Sequence, residues 1–146
     1  RGTFTSSPDL GPKHRESFVE QIAGFHTEVT SQGHAVGTEI LEQQIEPASA
    51  GIAFNLQLNF GDSVVALRRL RFVDGVINHL VHTFLPADRF SDVAEADLRD
   101  QALYGYLKRT HQVGMVRSRI VVDVESASER TAELLHVDIG SALLVV

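Results

Sequence analysis

The chain has 146 residues, 43% of them hydrophobic and 11 of them glycine, which fits one globular domain and excludes a disordered chain. Its 13 basic and 19 acidic residues give a net charge of −6, which excludes a chain that grips a phosphate backbone across its surface but leaves room for a local anion pocket. It has no cysteine, hence no disulfide framework, thiolate metal site or thiol nucleophile; its first residues are polar and no apolar run approaches roughly 18 residues, so no signal peptide, no membrane contact and a cytoplasmic protein are expected.

Residues 1–5 read as the tail of a strand, and residues 6–12, rich in Ser, Pro and Gly, as a linker. There is no initiator Met, and the apolar stretch 142–146 stops without a turn, so a piece of a longer protein is expected. Residues 16–32 place Phe18, Ile22, Phe25 and Val29 on one helical face, with Gly33 suited to the left-handed residue after a helix; a break at Gly24 would make it two helices. Residues 36–47 are strand-like. Ser49 caps a short helix through Leu58, with Ile52, Ala53 and Leu56 inward, and residues 60–62 turn. Residues 63–73 are the clearest strand, Asp74-Gly75 signals a hairpin, and residues 76–85 return before Pro86. Residues 92–112 are expected to be mostly helical, with Asp92 and Glu95 as a capping pair and Leu98, Ala102, Leu103, Tyr106 and Leu107 on the inner face. A strand is expected over 116–124, a helix from Ser126 with Glu129 as capping box to about His136, a turn at Ile139-Gly140, and a final strand over 142–146. No internal repeat or low-complexity segment is evident. Helices interleaved with long strands, two of them joined by a tight hairpin, mean an α/β layered (α+β) domain with a mostly antiparallel sheet.

The chain carries no nucleophile elbow and no phosphate-binding glycine loop, and Gly61-Asp62-Ser63 reads as a plain turn. His79 and His82 fall on opposite faces of a strand and cannot share one metal, so neither a metal nor a cofactor is expected. One cluster stands out: Arg68-Arg69-Leu70-Arg71 lies inside the most apolar strand, with Arg69 and Arg71 on one face. Two guanidiniums on one face repel unless an anion lies between them, and the guanidinium fork fits carboxylate or phosphate. The bland alternative is pairing with local Asp or Glu. Hairpin register decides which residues join them. A two-residue loop sets Arg71 opposite Asn78 and puts His82 on the arginine face. A three-residue loop over 73–75 sets Arg71 opposite Ile77 and Arg69 opposite His79, with Val81 on that face.

Several segments carry a family resemblance: Arg1-Gly2-Thr3-Phe4, Gly24-Phe25 through Gly33, Pro47-Ala48-Ser49, residues 61–71, Asp74-Gly75, Phe84-Leu85-Pro86, Asp97-Leu98, Ala102-Leu103-Tyr104, and Leu134-Leu135 through Leu144. In this order they resemble GntR-type bacterial transcription regulators of the HutC branch, with residues 1–12 similar to the end of a winged-helix wing plus linker and residues 13–146 to the UTRA effector-binding domain. The resemblance implies a chorismate-lyase-like fold, a homodimer, binding of a small anionic metabolite, and DNA contact only through a separate N-terminal winged-helix domain. It also implies a further C-terminal strand bearing a ligand-side acid, which this sequence does not contain.

Carried across by residue, the family's anion-binding pair falls on Arg69 and Arg71. Its Ser-Leu-Tyr-like turn falls on Ala102-Leu103-Tyr104, keeping Tyr104 and losing the hydroxyl at Ala102. Its first-helix aromatic falls on Phe25, so the amides of Phe25, His26 and Thr27 would face an anion. A sugar-binding acid falls at Val81, and a recurrent basic residue at Arg117. The resemblance puts position 81 beside the ligand, which favours the three-residue loop, makes His79 a pocket residue and turns His82 away. With the Ser and the acid lost, a smaller or less hydroxylated anion such as a carboxylate metabolite is expected. The rival readings are a chorismate-lyase-like enzyme acting on an aromatic acid, and a dimerisation module without a ligand.

Overall fold

The alternating apolar run over 63–73 forms the central strand of a three-stranded antiparallel sheet in a computed structural model that describes residues 29–99, 101–114, 117, 119 and 121–146. Strand β1 (Val36–Pro47) and strand β3 (Val76–Pro86) flank strand β2 (Ser63–Val73), so β2 is hydrogen-bonded on both edges. The chain enters β1 from a helical turn at 29–31. It closes with Gly33 at φ 87°, whose amide reaches the Thr30 carbonyl at 3.0 Å, as expected for a left-handed residue after a helix.

Asp74 (φ 51°) and Gly75 (φ 79°) both take positive φ, so the hairpin loop has two residues, with Val73 opposite Val76 and Phe72 opposite Ile77. The three-residue loop is thereby corrected. A bulge then leaves Asn78 as an extra residue on β3, setting Arg71 opposite His79 and Arg69 opposite Val81. One inserted residue exchanges the faces of everything beyond it, so His79 and Val81 reach the arginine face although the loop is short. A second bulge at Leu41 of β1 sets Ile40 opposite Arg69 and Glu42 opposite Arg68.

Both faces of β2 are covered. Val65 and Leu67 pack with Ala87, Phe90, Val93, Leu98, Leu103 and Leu107, supplied by helix α2 (Ala87–Phe90), the 3-10 turn η1 (Ser91–Ala94), helix α3 (Leu103–His111) and the loop before α3. Val64 packs on the other face against Ala48 and Ala53, beside Ile52 and Leu56 of helix α1 (Ala50–Leu56). The long helix expected over 92–112 is two pieces, with residues 95–99 and 101–102 non-helical. Gln43 of β1 explains the break: its Nε2 donates to the carbonyls of Val93 (2.6 Å) and Ala96 (2.7 Å), acceptors that a continuous helix would use itself. Asp92 is consequently not a helix cap; its carboxylate accepts from the Tyr106 hydroxyl at 2.5 Å and lies 3.0 Å from His111 Nε2.

A unit repeats, contrary to the sequence expectation. Residues 47–66 run strand, Ala48-Ser49, α1, left-handed Gln57, Gly61, strand; residues 126–145 run strand, Ala127-Ser128, helix α4 (Glu129–Leu135), left-handed His136, Gly140, strand. The backbone bonds match. The amide of Ala48 reaches the Asp62 carbonyl at 2.8 Å and that of Ala127 the Ser141 carbonyl at 2.8 Å; Leu58 reaches Ala53 at 2.9 Å and Val137 reaches Ala132 at 3.0 Å. The α4 cap is Ser128, whose hydroxyl accepts from the Thr131 amide, not Ser126, which lies in strand β4 (Asp123–Ser126) opposite Ala142 of strand β5 (Ala142–Val145). The strand expected over 116–124 begins at Asp123 in its described part. The two units differ in cover: Val65 of β2 is 0% exposed, whereas Leu144, its counterpart on β5, is 70% exposed. No helix among the described residues is long and apolar enough to cross a membrane.

Candidate functional site

Strand alternation separates the three arginines of β2. Arg68 points to the α1 face. Its Nη1 donates to Glu42 Oε1 at 2.8 Å, and Arg130 Nη2 of α4 donates to the same oxygen at 2.8 Å. Local pairing thus accounts for the charge of Arg68, although its Nε is buried without a hydrogen-bond partner among the described residues. It does not account for Arg69 and Arg71, which are 5% and 6% exposed and form no ion pair among the described residues.

Their only side-chain partners there are threonine hydroxyls from the flanking strands. Arg71 Nη1 donates to Thr38 Oγ1 of β1, directly opposite in register. Arg69 Nη2 donates to Thr83 Oγ1 of β3 over 3.4 Å. Arg69 Nε and Nη1 are buried with no hydrogen-bond partner among the described residues. Burial first, and the positive charge of Arg71 second, push the Arg69 guanidinium down to about 10, with Tyr104 acting in the opposite sense. Burial also lowers Arg71. His79 is lowered by burial and then by Arg71 and Arg69, so its imidazole is neutral at pH 7. Its Nδ1 lies 2.7 Å from Asn78 Oδ1, which fixes that nitrogen as a donor.

Arg69, Arg71, His79 and Val81 therefore share one sheet face, and Tyr104, in the first turn of α3 and 47% exposed, lies near enough to act on Arg69. Ala102 precedes that turn and offers no side-chain cap. His82 faces Arg68, Glu42 and Arg130 on the opposite side. Arg117 is exposed, and no hydrogen bond or ion pair involves it among the described residues. Phe25, His26 and Thr27 lie outside the described residues. The sequence reading missed Thr38 and Thr83. Alternation from Val81 marks Thr83 as sharing its face, whereas Thr38 needed the β1–β2 register, which no local signal supplies. A groove along β1 is lined by Thr38, Glu39, Ile40, Gln43 and Arg99. No cluster of three or more metal-ligating side chains occurs among the described residues.

The profile of the UTRA domain family matches residues 31–146. The transcriptional regulator YurK of Bacillus subtilis is 27% identical over 146 residues, all of this chain and 58% of that protein. The transcriptional repressor NagR of the same organism is 18% identical over the same span and the same 58% share. The chain thus covers little more than half the length of these relatives. Among solved structures, the effector domain of PhnF from Mycobacterium smegmatis superposes with a TM-score of 0.74 at 25% identity, over 82% of this chain and 74% of that one.

Proposed function

The chain belongs to the UTRA domain family, a domain of GntR-family transcription regulators, and from that premise we propose that it is an effector-sensing domain that binds a small anionic metabolite through Arg69 and Arg71. The relatives are regulators rather than enzymes, which sets aside the chorismate-lyase-like alternative. One observation carries the anion reading: two neighbouring guanidiniums are 5% and 6% exposed without a carboxylate partner among the described residues. A buried ion without a counter-charge costs several kcal/mol, and two like charges add to that. An anion between them offsets both costs at once.

Val81 presents no acceptor and Ala102 no hydroxyl, which supports a small, sparsely hydroxylated anion such as a carboxylate metabolite. In this reading residues 13–146 form the effector domain of a cytoplasmic homodimer, and a winged-helix domain attached N-terminally reads DNA. The effector changes operator affinity by linkage, typically about 1–3 kcal/mol, and DNA changes effector affinity by the same amount.

The test is a thermal-shift screen of sugar acids, dicarboxylates, aromatic acids and phosphosugars against the native chain and the Arg69→Ala, Arg71→Ala double variant. A ligand at about 100 times its Kd adds roughly 2.7 kcal/mol, a shift of several degrees. A hit lost in the double variant is the expected result. A hit retained in it removes these residues from the site, and no hit at all favours a dimerisation module.

A further inference from the structure

We propose that the groove along β1 is the second half of the effector site, where Gln43 and Glu39 take up a protonated amine, so that the effector is an elongated aminocarboxylate with its carboxylate at Arg69 and Arg71. The inference rests on the anion-site reading and deepens it by naming the class of ligand.

Thr38 belongs to both halves. It stands opposite Arg71, its hydroxyl accepts from Arg71 Nη1, and it lines the groove. Across the Leu41 bulge, Thr38, Ile40 and Gln43 stand opposite Arg71, Arg69 and Leu67, so all three lie on the arginine face and form the groove floor. Arg71 and Leu67 are four residues apart on one strand, which makes that floor roughly 13 Å long at about 3.3 Å per residue. The groove has a volume of about 470 Å³, the size of a metabolite pocket.

The lining changes character along this length. At the Thr38 end a guanidinium favours an oxyanion, and Ile40 follows with an apolar surface. At Gln43 both Nε2 protons go to the carbonyls of Val93 and Ala96, at 2.6 and 2.7 Å. A side-chain amide nitrogen has two protons and no more, so what Gln43 still offers is its carbonyl oxygen, an acceptor. Glu39 adds a carboxylate to the lining, whereas the charge of Arg99 is answered by Asp97 Oδ1, 3.2 Å from its Nε. Two carboxylates against one guanidinium leave this half net negative, opposite in sign to the arginine half. The molecule that satisfies both halves carries an oxyanion at one end, an aliphatic stretch over Ile40, and a cationic donor at the other. A diacid would set its second carboxylate against Glu39 and the Gln43 carbonyl.

The experiment is calorimetric titration of the full chain at pH 7 and constant ionic strength. The probes are sodium sulfate, 4-aminobutyrate, 6-aminohexanoate, 8-aminooctanoate, the alkanoates of equal length, and adipate. The proteins are the native chain, Glu39→Gln, the Arg69→Ala, Arg71→Ala variant, and Glu125→Gln as a charge control on exposed β4. The native protein should bind at least one amino acid of the series about ten-fold more tightly than the matching alkanoate. Glu39→Gln should cut that preference about three-fold and leave sulfate binding unchanged, and Glu125→Gln should alter neither. The inference is overturned by adipate binding more tightly than 6-aminohexanoate, by no preference for the amine in the native protein, or by a preference that Glu39→Gln spares or Glu125→Gln lowers equally. Sulfate binding that still depends on both arginines then leaves the anion site standing. Sulfate binding that survives loss of both arginines, or is absent from the native protein, overturns both readings.

Discussion

Arg68 and Arg69 are consecutive in the chain but differ in counter-charge: Arg68 donates to the Glu42 carboxylate at 2.8 Å, while Arg69 has no carboxylate partner among the described residues and two buried N–H groups without an acceptor there, against one on Arg68. The pleat sends one to a face that supplies a carboxylate and the other to a face that supplies threonines. Opposite consequences follow for substitution. Arg69→Met removes a buried charge that has no carboxylate partner among the described residues, and should stabilise the ligand-free protein by about 1–2 kcal/mol while abolishing its response to anions. Arg68→Met takes one of two cations from Glu42 and should destabilise. Denaturant midpoints of the two variants, with and without sulfate, check this. A destabilised Arg69→Met would mean that the guanidinium is already satisfied.

His79 should report the ligand. Burial and the two arginines hold it below its ordinary value of 6.5 in the free protein. A bound anion adds negative charge opposite Arg71 and must raise it. By linkage, anion binding then takes up protons between the two values, and affinity rises as pH falls through that window. Proton NMR of the His79 ring, titrated with and without sulfate, should show the shift. His82, on the other face, should not move.

Gln43 holds the link between η1 and α3 by two bonds from one nitrogen, 2.6 Å to Val93 and 2.7 Å to Ala96. Gln43→Leu leaves two carbonyls without that donor and should cost about 1–3 kcal/mol. Protease cleavage within 95–99 should rise in parallel, because the link loses its tie to β1. Limited proteolysis with mass spectrometry locates the cut.

The repeated unit makes a paired prediction. Ser49 accepts from the Ile52 amide at 3.4 Å and Ser128 from the Thr131 amide at 3.2 Å, each at the start of a seven-residue helix. Replacing either with Ala should cost about 1 kcal/mol. The double variant should show the sum of the two losses, since the caps share no partner. Urea denaturation of the three variants measures it.

The sequence by itself determined the parts that depend on local pattern. Alternation from Ser63 to Val73 gave β2 to the residue, Asp74-Gly75 located the turn without deciding its length, Ser49 marked a cap, and the two-residue spacing put Arg69 and Arg71 together. The family resemblance added His79, Val81 and Tyr104 to the arginine face or its border. Tertiary structure decided what local pattern cannot encode. The bulge at Asn78 set which histidine joined the arginines, because a one-residue insertion changes every face beyond it while leaving composition and periodicity nearly unchanged. The split of the 92–112 helix followed from Gln43, a side chain about 50 residues away that takes up the helix's carbonyls. Thr38 met Arg71 only through strand pairing across an intervening helix, a contact set by sheet register and not by sequence distance.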